Sequence, residues 1–138
     1  MLVKDLDGHI TNWHLVGHIA KGRNIDKSDL HLKARSLLIE LFPTLQLLEE
    51  VPINTRKSET LYMDFYLPLK KMSIEVHGEQ HYKYIGFYHQ NVLGFIRSQK
   101  RDREKTEWCN INNIEQIILP FNENIDQWKQ RIKHDQEL

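Results

Sequence analysis

The chain has 138 residues, of which 40% are hydrophobic and 28% are charged, with 19 basic residues, 19 acidic residues and one cysteine. This balance is typical of one globular domain and excludes both a disordered chain and a disulfide-stabilised one. Because no apolar run is long enough to span a membrane and the N-terminus lacks the pattern of a signal peptide, we expect a cytoplasmic protein without a membrane partner.

Residues 1–27 differ in pattern from the rest and predict an N-terminal appendage to a domain at residues 28–138. Asp7-Gly8 is a hairpin-turn dipeptide between the apolar segments 2–6 and 10–16. Lys21-Gly22-Arg23-Asn24 predicts a loop. Trp13, close to this basic loop, is the tryptophan that we consider for DNA contact.

A helical pattern begins after Ser28, which is a candidate N-cap, and ends before Pro43. Its apolar positions follow a helical spacing along one stripe: Leu30, Ala34, Leu37, Leu38 and Leu41.

Three strand-like segments follow, at residues 46–53, 60–67 and 72–77, and they predict an antiparallel meander with its apolar face on the first helix. In the second segment the alternation places Leu61, Met63, Phe65 and Leu67 on that one face. Residues 92–109 then predict a long helix, and 115–119 a buried strand. Asn124 and Gln127 resemble a capping box that opens a last helix. The order α-β-β-β-α-β-α predicts a mixed α/β fold with a mainly antiparallel sheet flanked by helices.

Asp64 and Glu75 lie in the middle of two neighbouring strands, among apolar residues. Counting by two places both carboxylates on one face, with His77 one step beyond Glu75. Two converging carboxylates repel each other unless a cation lies between them, and oxygen ligands suit Mg²⁺ or Mn²⁺. The alternative is a solvent-facing polar side of the sheet, which needs no metal.

Several strings of the sequence together resemble the PD-(D/E)XK nuclease superfamily. They are Met63-Asp64-Phe65-Tyr66-Leu67-Pro68, Ile74-Glu75-Val76-His77-Gly78-Glu79-Gln80-His81, Arg101-Asp102 and Ile117-Ile118-Leu119-Pro120. The similarity covers roughly residues 28–120. Within the superfamily it is greatest to the very-short-patch repair endonuclease branch and to compact phage or intron-associated homing endonucleases. The resemblance implies a restriction-endonuclease-like core.

It also implies a metal-dependent DNA endonuclease that leaves a 5′-phosphate and a 3′-hydroxyl. Asp64 and Glu75 match the metal-binding carboxylates, the Val76 carbonyl would be a further ligand, and Glu40 matches an acidic residue that reaches the metal through water. The alternative for Glu40 is an ordinary surface glutamate.

The superfamily usually has lysine at the position of His77. Histidines replace that lysine in the repair-endonuclease branch, and His81 is a second candidate of the same kind. A histidine can transfer protons near neutral pH. The alternative is a site that keeps the fold and has lost catalysis.

The zero net charge argues mildly against a nucleic-acid partner, but basic residues are locally clustered. Arg97, Arg101 and Lys105 form one stripe of the long helix, and Lys70-Lys71 form a second cluster, so these five residues are the candidate DNA contacts. The alternative is a salt-bridged helix face exposed to solvent.

The sequence therefore predicts a Mg²⁺- or Mn²⁺-dependent DNA endonuclease, in the cytoplasm of a bacterial host if a phage encodes it. A homodimer is expected if both strands are cut. Two alternatives stay open: a non-cleaving nucleic-acid-binding protein, which the missing lysine favours, and a junction resolvase with the same chemistry.

Overall fold

The computed structural model describes residues 1–16, 18–19 and 27–136. Its first element is a hairpin of two antiparallel strands, β1 (Leu2–Lys4) and β2 (Ile10–Asn12). Gly8 lies in the turn with a φ of 88°, which glycine adopts without strain. The predicted hairpin is confirmed, with shorter strands than expected, whereas the predicted loop at residues 21–24 lies outside the described residues.

Five further strands form one sheet: β3 (His18–Ile19), β4 (Leu48–Arg56), β5 (Glu59–Leu67), β6 (Met72–His77) and β7 (Glu115–Pro120). Each strand is hydrogen-bonded to the next in chain order. The pairs from β3 to β6 are antiparallel, whereas β6 and β7 are parallel. The sheet is therefore mainly antiparallel, with one parallel pair at its edge.

The α-helices within the described ranges are α1 (Asp29–Leu41), α2 (Gly86–His89), α3 (Val92–Ile111) and α4 (Ile125–Gln136), and two short 3-10 helices lie at Pro68–Lys70 and Glu79–His81. Ser28 caps α1, because its Oγ accepts a hydrogen bond from His31 N at 3.1 Å. Asn124 and Gln127 form the predicted capping box of α4, with two reciprocal hydrogen bonds of 2.9 Å. Within the described part of the chain, no helix combines the length and the apolar character that crossing a bilayer requires.

Two apolar clusters cover the two sides of the sheet. In the first, Ala34, Leu37 and Leu38 of α1 pack with strand residues such as Phe65 and with Trp128 of α4. In the second, Trp108 of α3 packs with Leu61 and Met63 of β5 and with Val3 and Trp13 of the hairpin segment. The prediction that Leu61 and Met63 face the first helix together with Phe65 is wrong, because they lie in the cluster of α3.

Trp13 belongs to the core and is not available to DNA. Its side chain is buried, and its indole N–H donates to the Pro52 carbonyl at 3.1 Å. Its ring contacts Tyr66 and Trp108, with centroids 5.0 and 5.1 Å away. The burial of a large aromatic ring stabilises the contact between the hairpin segment and the sheet.

The predicted order α-β-β-β-α-β-α is confirmed for the chain after residue 27, with the one-turn helix α2 added before α3. The protein is a mixed α/β protein with a mainly antiparallel sheet flanked by helices. In this arrangement α3 packs against β4, β5 and β7.

Candidate functional site

Strands β5 and β6 separate at one point, and two carboxylates fill the gap between them. The antiparallel ladder ends with Phe65 opposite Ile74, so the next facing pair is Asp64 and Glu75. Here the Asp64 N–H donates to Glu75 Oε2, and the Val76 N–H donates to Asp64 Oδ2, each at 2.8 Å. The structure thus brings Asp64 and Glu75 together, and each keeps one oxygen outside these backbone bonds.

The two carboxyl groups repel each other in a buried place. The side chain of Glu75 is 1% exposed. Burial and then the charge of Glu75 raise the pKa of Asp64 to about 7, although the charge of Lys105 acts against them. Carboxylates in such a position hold a proton or a cation between them. The site is therefore ready to accept positive charge near neutral pH.

Lys105 of α3 supplies positive charge from outside the sheet. Its Nζ lies 2.6 Å from Glu75 Oε1 and donates to the Tyr62 carbonyl at 3.1 Å. Burial acts to lower the pKa of Lys105, but the charges of Glu75 and Asp64 outweigh burial and hold the pKa above its ordinary value. The interpretation of Lys105 as part of an exposed stripe needs correction, because its side chain is only 16% exposed and points to the carboxylates.

A histidine pair lies beside the carboxylates. The rings of His77 and His81 stack with centroids 4.1 Å apart and planes 4° from parallel. Burial and then the charge of His81 lower the pKa of His77 to about 4. His77 is consequently an uncharged, buried ring at neutral pH. The prediction that it ionises near neutrality is corrected, because its pKa lies well below that of an ordinary imidazole.

Asp102 of α3 orients His81 and was missed as a site residue. Its Oδ2 lies 2.8 Å from His81 Nδ1. Burial acts to raise the pKa of Asp102, but the hydrogen bond with His81 outweighs it and lowers the pKa. Because an ionised carboxylate only accepts, His81 Nδ1 must carry the hydrogen, which leaves Nε2 as the acceptor nitrogen of a neutral ring. The signal in the sequence is that Asp102 lies one helical turn before Lys105.

A cleft of about 320 Å³ lies beside these groups. Its lining includes Asp64, Val76, His77, His81, Tyr88 and Lys105. A second depression, the side groove, has a volume of about 330 Å³, and its lining includes Tyr62, Ser98, Arg101 and Asp102. His81 and Lys105 line both depressions, so the two meet at these residues.

The donor set at the carboxylates fits a hard divalent cation. Glu75 Oε1 is a buried oxygen with no aligned hydrogen-bond donor in the described part of the chain, although Lys105 lies close to it. The backbone of Val76 faces Asp64, since its N–H donates there, whereas the next carbonyl, of His77, accepts from Phe121 N on the opposite edge of β6. Carboxylate and carbonyl oxygens are the ligands of Mg²⁺ and Mn²⁺. Asp64, Glu75 and the Val76 carbonyl are thus the residues that would hold the ion.

A second group, formed by His77, His81 and Asp102, has potential ligand atoms within 4.8 Å of one another. However, the two imidazole rings are stacked and nearly parallel. The lone pair of an imidazole nitrogen lies in the ring plane, so two stacked rings direct their lone pairs side by side and not toward one ion. This group suits proton transfer better than metal binding.

Glu40 is not brought to the site, which corrects its assignment as a metal or catalytic residue. Its side chain is 68% exposed, and its Oε1 lies 3.7 Å from Lys129 Nζ of α4. The physical reason is the direction in which each position of α1 points, since Glu40 lies on the exposed face of the helix. His31 and Arg35, one turn apart on α1, take the buried face instead, and His31 lines the cleft.

A buried ion network attaches α1 to the sheet beside the cleft. Glu49 of β4 accepts from Arg35 Nε at 2.7 Å, and its Oε1 lies 2.9 Å from His31 Nε2. Burial acts to raise the pKa of Glu49, but the hydrogen bonds from Arg35 and His31 outweigh it and lower the pKa. The ring of His31 also stacks on Phe65, with centroids 4.4 Å apart. The sequence patterns did not reveal this network.

The other candidate DNA contacts divide into two groups. Arg97 and Arg101 are exposed on α3, and Arg101 lines the side groove. Lys70 and Lys71 lie before the start of β6, at the end of the strand opposite His77. Lys70 Nζ lies 5.6 Å from the ring centroid of Phe42. The structure therefore separates the two lysines from the cleft, which corrects their grouping with the α3 residues.

Comparison with known proteins finds similarity to two viral proteins. The chain is 41% identical over 72 residues to "Uncharacterized protein 307L" of Invertebrate iridescent virus 6, a match that covers 51% of this chain and 36% of that protein. It is 29% identical over 68 residues to "Uncharacterized protein 033L" of Invertebrate iridescent virus 3, which covers 49% of this chain and 35% of that protein. The matches thus span about a third of each curated relative. No family model and no solved structure matches the chain.

Proposed function

We propose that this protein is a metal-dependent DNA endonuclease with a restriction-endonuclease-like core. The observation that carries the proposal is the Asp64–Glu75 pair, which meets where β5 and β6 separate, with Asp64 lining the cleft and Glu75 buried behind it. The resemblance of the surrounding strings to PD-(D/E)XK nucleases supports the same reaction class. Lys105, His81 and Asp102 add a cation and a proton-transfer pair within the same cleft and side groove.

Hydrolysis requires that a water oxygen bonds to phosphorus while the bond from phosphorus to the 3′ oxygen breaks. Mg²⁺ or Mn²⁺, held by Asp64, Glu75 and the Val76 carbonyl, would polarise the scissile phosphate and orient the water. His81 Nε2 accepts a proton from that water, since Asp102 fixes the hydrogen on Nδ1. The leaving 3′ oxygen takes a proton from solvent. The products are a 5′-phosphate and a 3′-hydroxyl.

The stacked ring of His77 is a positioning group in this mechanism. Because its pKa is about 4, His77 is uncharged at neutral pH and a weak base. Its ring lies parallel to that of His81 and restricts the orientation of His81 from one side, while Asp102 restricts it from the other. We therefore assign the proton transfer to His81 and place His77 behind it.

The position of Lys105 bears on the alternative of a non-cleaving protein. That alternative was favoured because His77 stands where the superfamily usually has lysine. Lys105 brings an ammonium group to the same carboxylates from α3. A cation beside the carboxylates is thus still present in the chain, which favours an active enzyme.

DNA is the proposed substrate, and a homodimer is proposed if both strands are cut, since the described residues of each chain form one such site. The single cysteine, Cys109, is buried and unpaired, which agrees with a reducing compartment such as the cytoplasm. A host cell is the proposed setting, because the two similar proteins are encoded by viruses.

The test is incubation of the purified protein with supercoiled plasmid and with a four-way DNA junction, in Mg²⁺, in Mn²⁺ and in chelator. The proposal expects cleavage in either metal ion and none in chelator, with 5′-phosphate ends. Cleavage of the junction alone would replace the plasmid nuclease with a junction resolvase. Binding without cleavage in both metal ions would contradict the proposed activity and support a non-cleaving binding protein.

A further inference from the structure

We propose that Lys105 holds the cation position at Glu75 while the site is free of metal, and that its ammonium passes from Glu75 to the substrate phosphate when a divalent ion binds. The inference rests on the proposed function. It assigns Lys105 two successive partners, and so links metal binding to phosphate binding.

Among the described residues, each of the two carboxylates has one oxygen that accepts no backbone N–H. Glu75 Oε2 and Asp64 Oδ2 each accept a backbone N–H at 2.8 Å. The second oxygen of Glu75, Oε1, is the atom that Lys105 Nζ approaches to 2.6 Å. Oε1 is thus the Glu75 oxygen that no described backbone N–H occupies, and a metal ion that binds through it meets the ammonium that now lies beside it.

Lys105 and a divalent ion at Glu75 would place two positive charges in one buried position. Lys105 faces Glu75, Asp64 and Asp102, three acidic groups from two strands and its own helix. An ammonium and a divalent ion at the same carboxylate oxygen repel each other strongly in a buried place. Loss of the Lys105–Glu75 contact accordingly accompanies metal binding, and this contact opposes metal binding in the wild-type protein.

Lys105 borders two depressions, so its ammonium has a second place to occupy. Its Nζ donates to the Tyr62 carbonyl at 3.1 Å, and the residue lines both the cleft and the side groove. Arg101 lines the same side groove. A lysine side chain has four rotatable methylene groups, so its ammonium can swing by a few ångströms without movement of the helix. Released from Glu75, the ammonium stays where a phosphate in the cleft would meet it.

The consequence is a pair of opposite effects from one substitution. Lys105→Met removes the competing charge, so the affinity for Mn²⁺ should rise by about tenfold or more. The same variant lacks the ammonium for the phosphate, so cleavage of DNA should fall by at least about tenfold. A residue that served only to stabilise the fold would not raise metal affinity when it is removed.

The experiment is titration of the purified proteins with Mn²⁺ alone, by calorimetry and by electron paramagnetic resonance of the free ion. Wild type is compared with Lys105→Met, with Lys105→Gln, and with the charge-conserving Lys105→Arg. Lys100→Met is the matched control, because Lys100 is an exposed lysine of the same helix that pairs with Glu104 outside the cleft. Asp64→Asn tests whether the titrated ion binds at the carboxylates, and thermal melts identify variants that fail to fold.

We expect tighter Mn²⁺ binding in Lys105→Met or Lys105→Gln, near-wild-type binding in Lys105→Arg and Lys100→Met, and loss of binding in Asp64→Asn. If the wild type binds Mn²⁺ and the folded Met or Gln variant binds it equally or more weakly, the inference is overturned while the proposed function stands. If no folded variant and no wild-type protein binds Mn²⁺, the metal-dependent function itself fails, and the inference fails with it. If both neutral variants fail to fold, Lys105 is primarily a structural counter-ion, which also overturns the inference.

Discussion

Lys105 Nζ lies 2.6 Å from Glu75 Oε1, although one residue belongs to a helix and the other to a central strand. This contact joins α3 to the point where β5 and β6 separate. It gives the two carboxylates a positive partner that helical spacing alone did not predict. Because Lys105 is mostly buried, its charge acts on the site more strongly than a surface lysine would.

The buried network of α1 predicts a large effect on stability. Glu49→Ala should lower the free energy of unfolding by about 3–5 kcal/mol, because it removes the carboxylate that faces the buried guanidinium of Arg35 and the ring of His31. Urea unfolding at pH 7 measures this loss of stability. Glu50→Ala is the matched control, since that neighbouring side chain is 47% exposed and pairs with Lys27, and it should change stability by less than about 1 kcal/mol. Equal effects of the two substitutions would mean that the network does not stabilise the fold.

The raised pKa of Asp64 predicts how stability depends on pH. In the metal-free protein, Asp64 keeps its proton up to about pH 7, whereas the unfolded chain loses that proton near pH 4. Folding therefore becomes less favourable as pH rises from about 4 to 7. Asp64→Asn cannot lose a proton, so its stability relative to wild type should increase across this window by a value on the order of 2–4 kcal/mol.

Urea unfolding of both proteins at several pH values, in chelator, measures this difference. His77 contributes the opposite slope, because its pKa is lowered to about 4 and its stabilising effect is lost as pH falls from about 6.5. Both proteins retain His77, so its slope cancels in the comparison. A stability difference that does not change with pH would show that the Asp64 pKa is not raised.

The two histidines are expected to differ in their effect on cleavage. His81→Ala should lower the cleavage rate by about 100-fold or more, and added imidazole should restore part of it by supplying a base in the vacated space. His77→Phe keeps a stacking ring, so it should lower the rate by less than about tenfold. Single-turnover rates at saturating Mg²⁺ decide between them. A large loss in His77→Phe with little loss in His81→Ala would exchange the two assignments.

The exposed arginines of α3 are expected to contact DNA phosphates. Replacing Arg97 and Arg101 with glutamine should reduce the slope of log K against log salt by about 2, since each lost phosphate contact reduces it by about 1. Binding is measured at several salt concentrations in chelator. Lys70 and Lys71, replaced together, form the control, because they lie at the other end of β6 and should leave the slope unchanged. A reduced slope in the Lys70 and Lys71 variant, with an unchanged slope in the arginine variant, would place the DNA over the turn between β5 and β6.

Most of the fold could be predicted from the sequence because its signals are local. The alternation in residues 72–77 gave β6 with the bounds that the structure has, and Ser28 capped α1 as expected. The faces of β5 could not be assigned in the same way. Leu61 and Met63 alternate in phase with Phe65, yet they pack in the cluster of α3 whereas Phe65 packs in the cluster of α1. The side of β5 that faces a given helix therefore differs between the two ends of the strand, which alternation alone does not predict.

The site was predictable only where it depends on strand alternation. Asp64 and Glu75 meet because both lie on neighbouring strands, which period-two counting captures. Lys105 and Asp102 reach the site through the packing of α3 on the sheet, and the direction of a helix face is not fixed by the polar spacing of the helix itself. The assignment of Glu40 to the site was wrong for the same reason, since the direction in which α1 presents this residue places it beside Lys129.

The most direct test of the proposed nuclease is the single-turnover cleavage rate of Asp64→Asn compared with Glu40→Gln. Both substitutions neutralise one carboxylate. Only Asp64 lies in the cleft, whereas Glu40 is exposed and pairs with Lys129 outside it. With saturating Mg²⁺ and supercoiled plasmid, Asp64→Asn should lose at least about 100-fold in rate while remaining folded, because the site loses a metal ligand. Glu40→Gln should cleave within about twofold of wild type. Cleavage by Asp64→Asn at the wild-type rate would contradict the account, since the carboxylate pair would then have no part in the reaction.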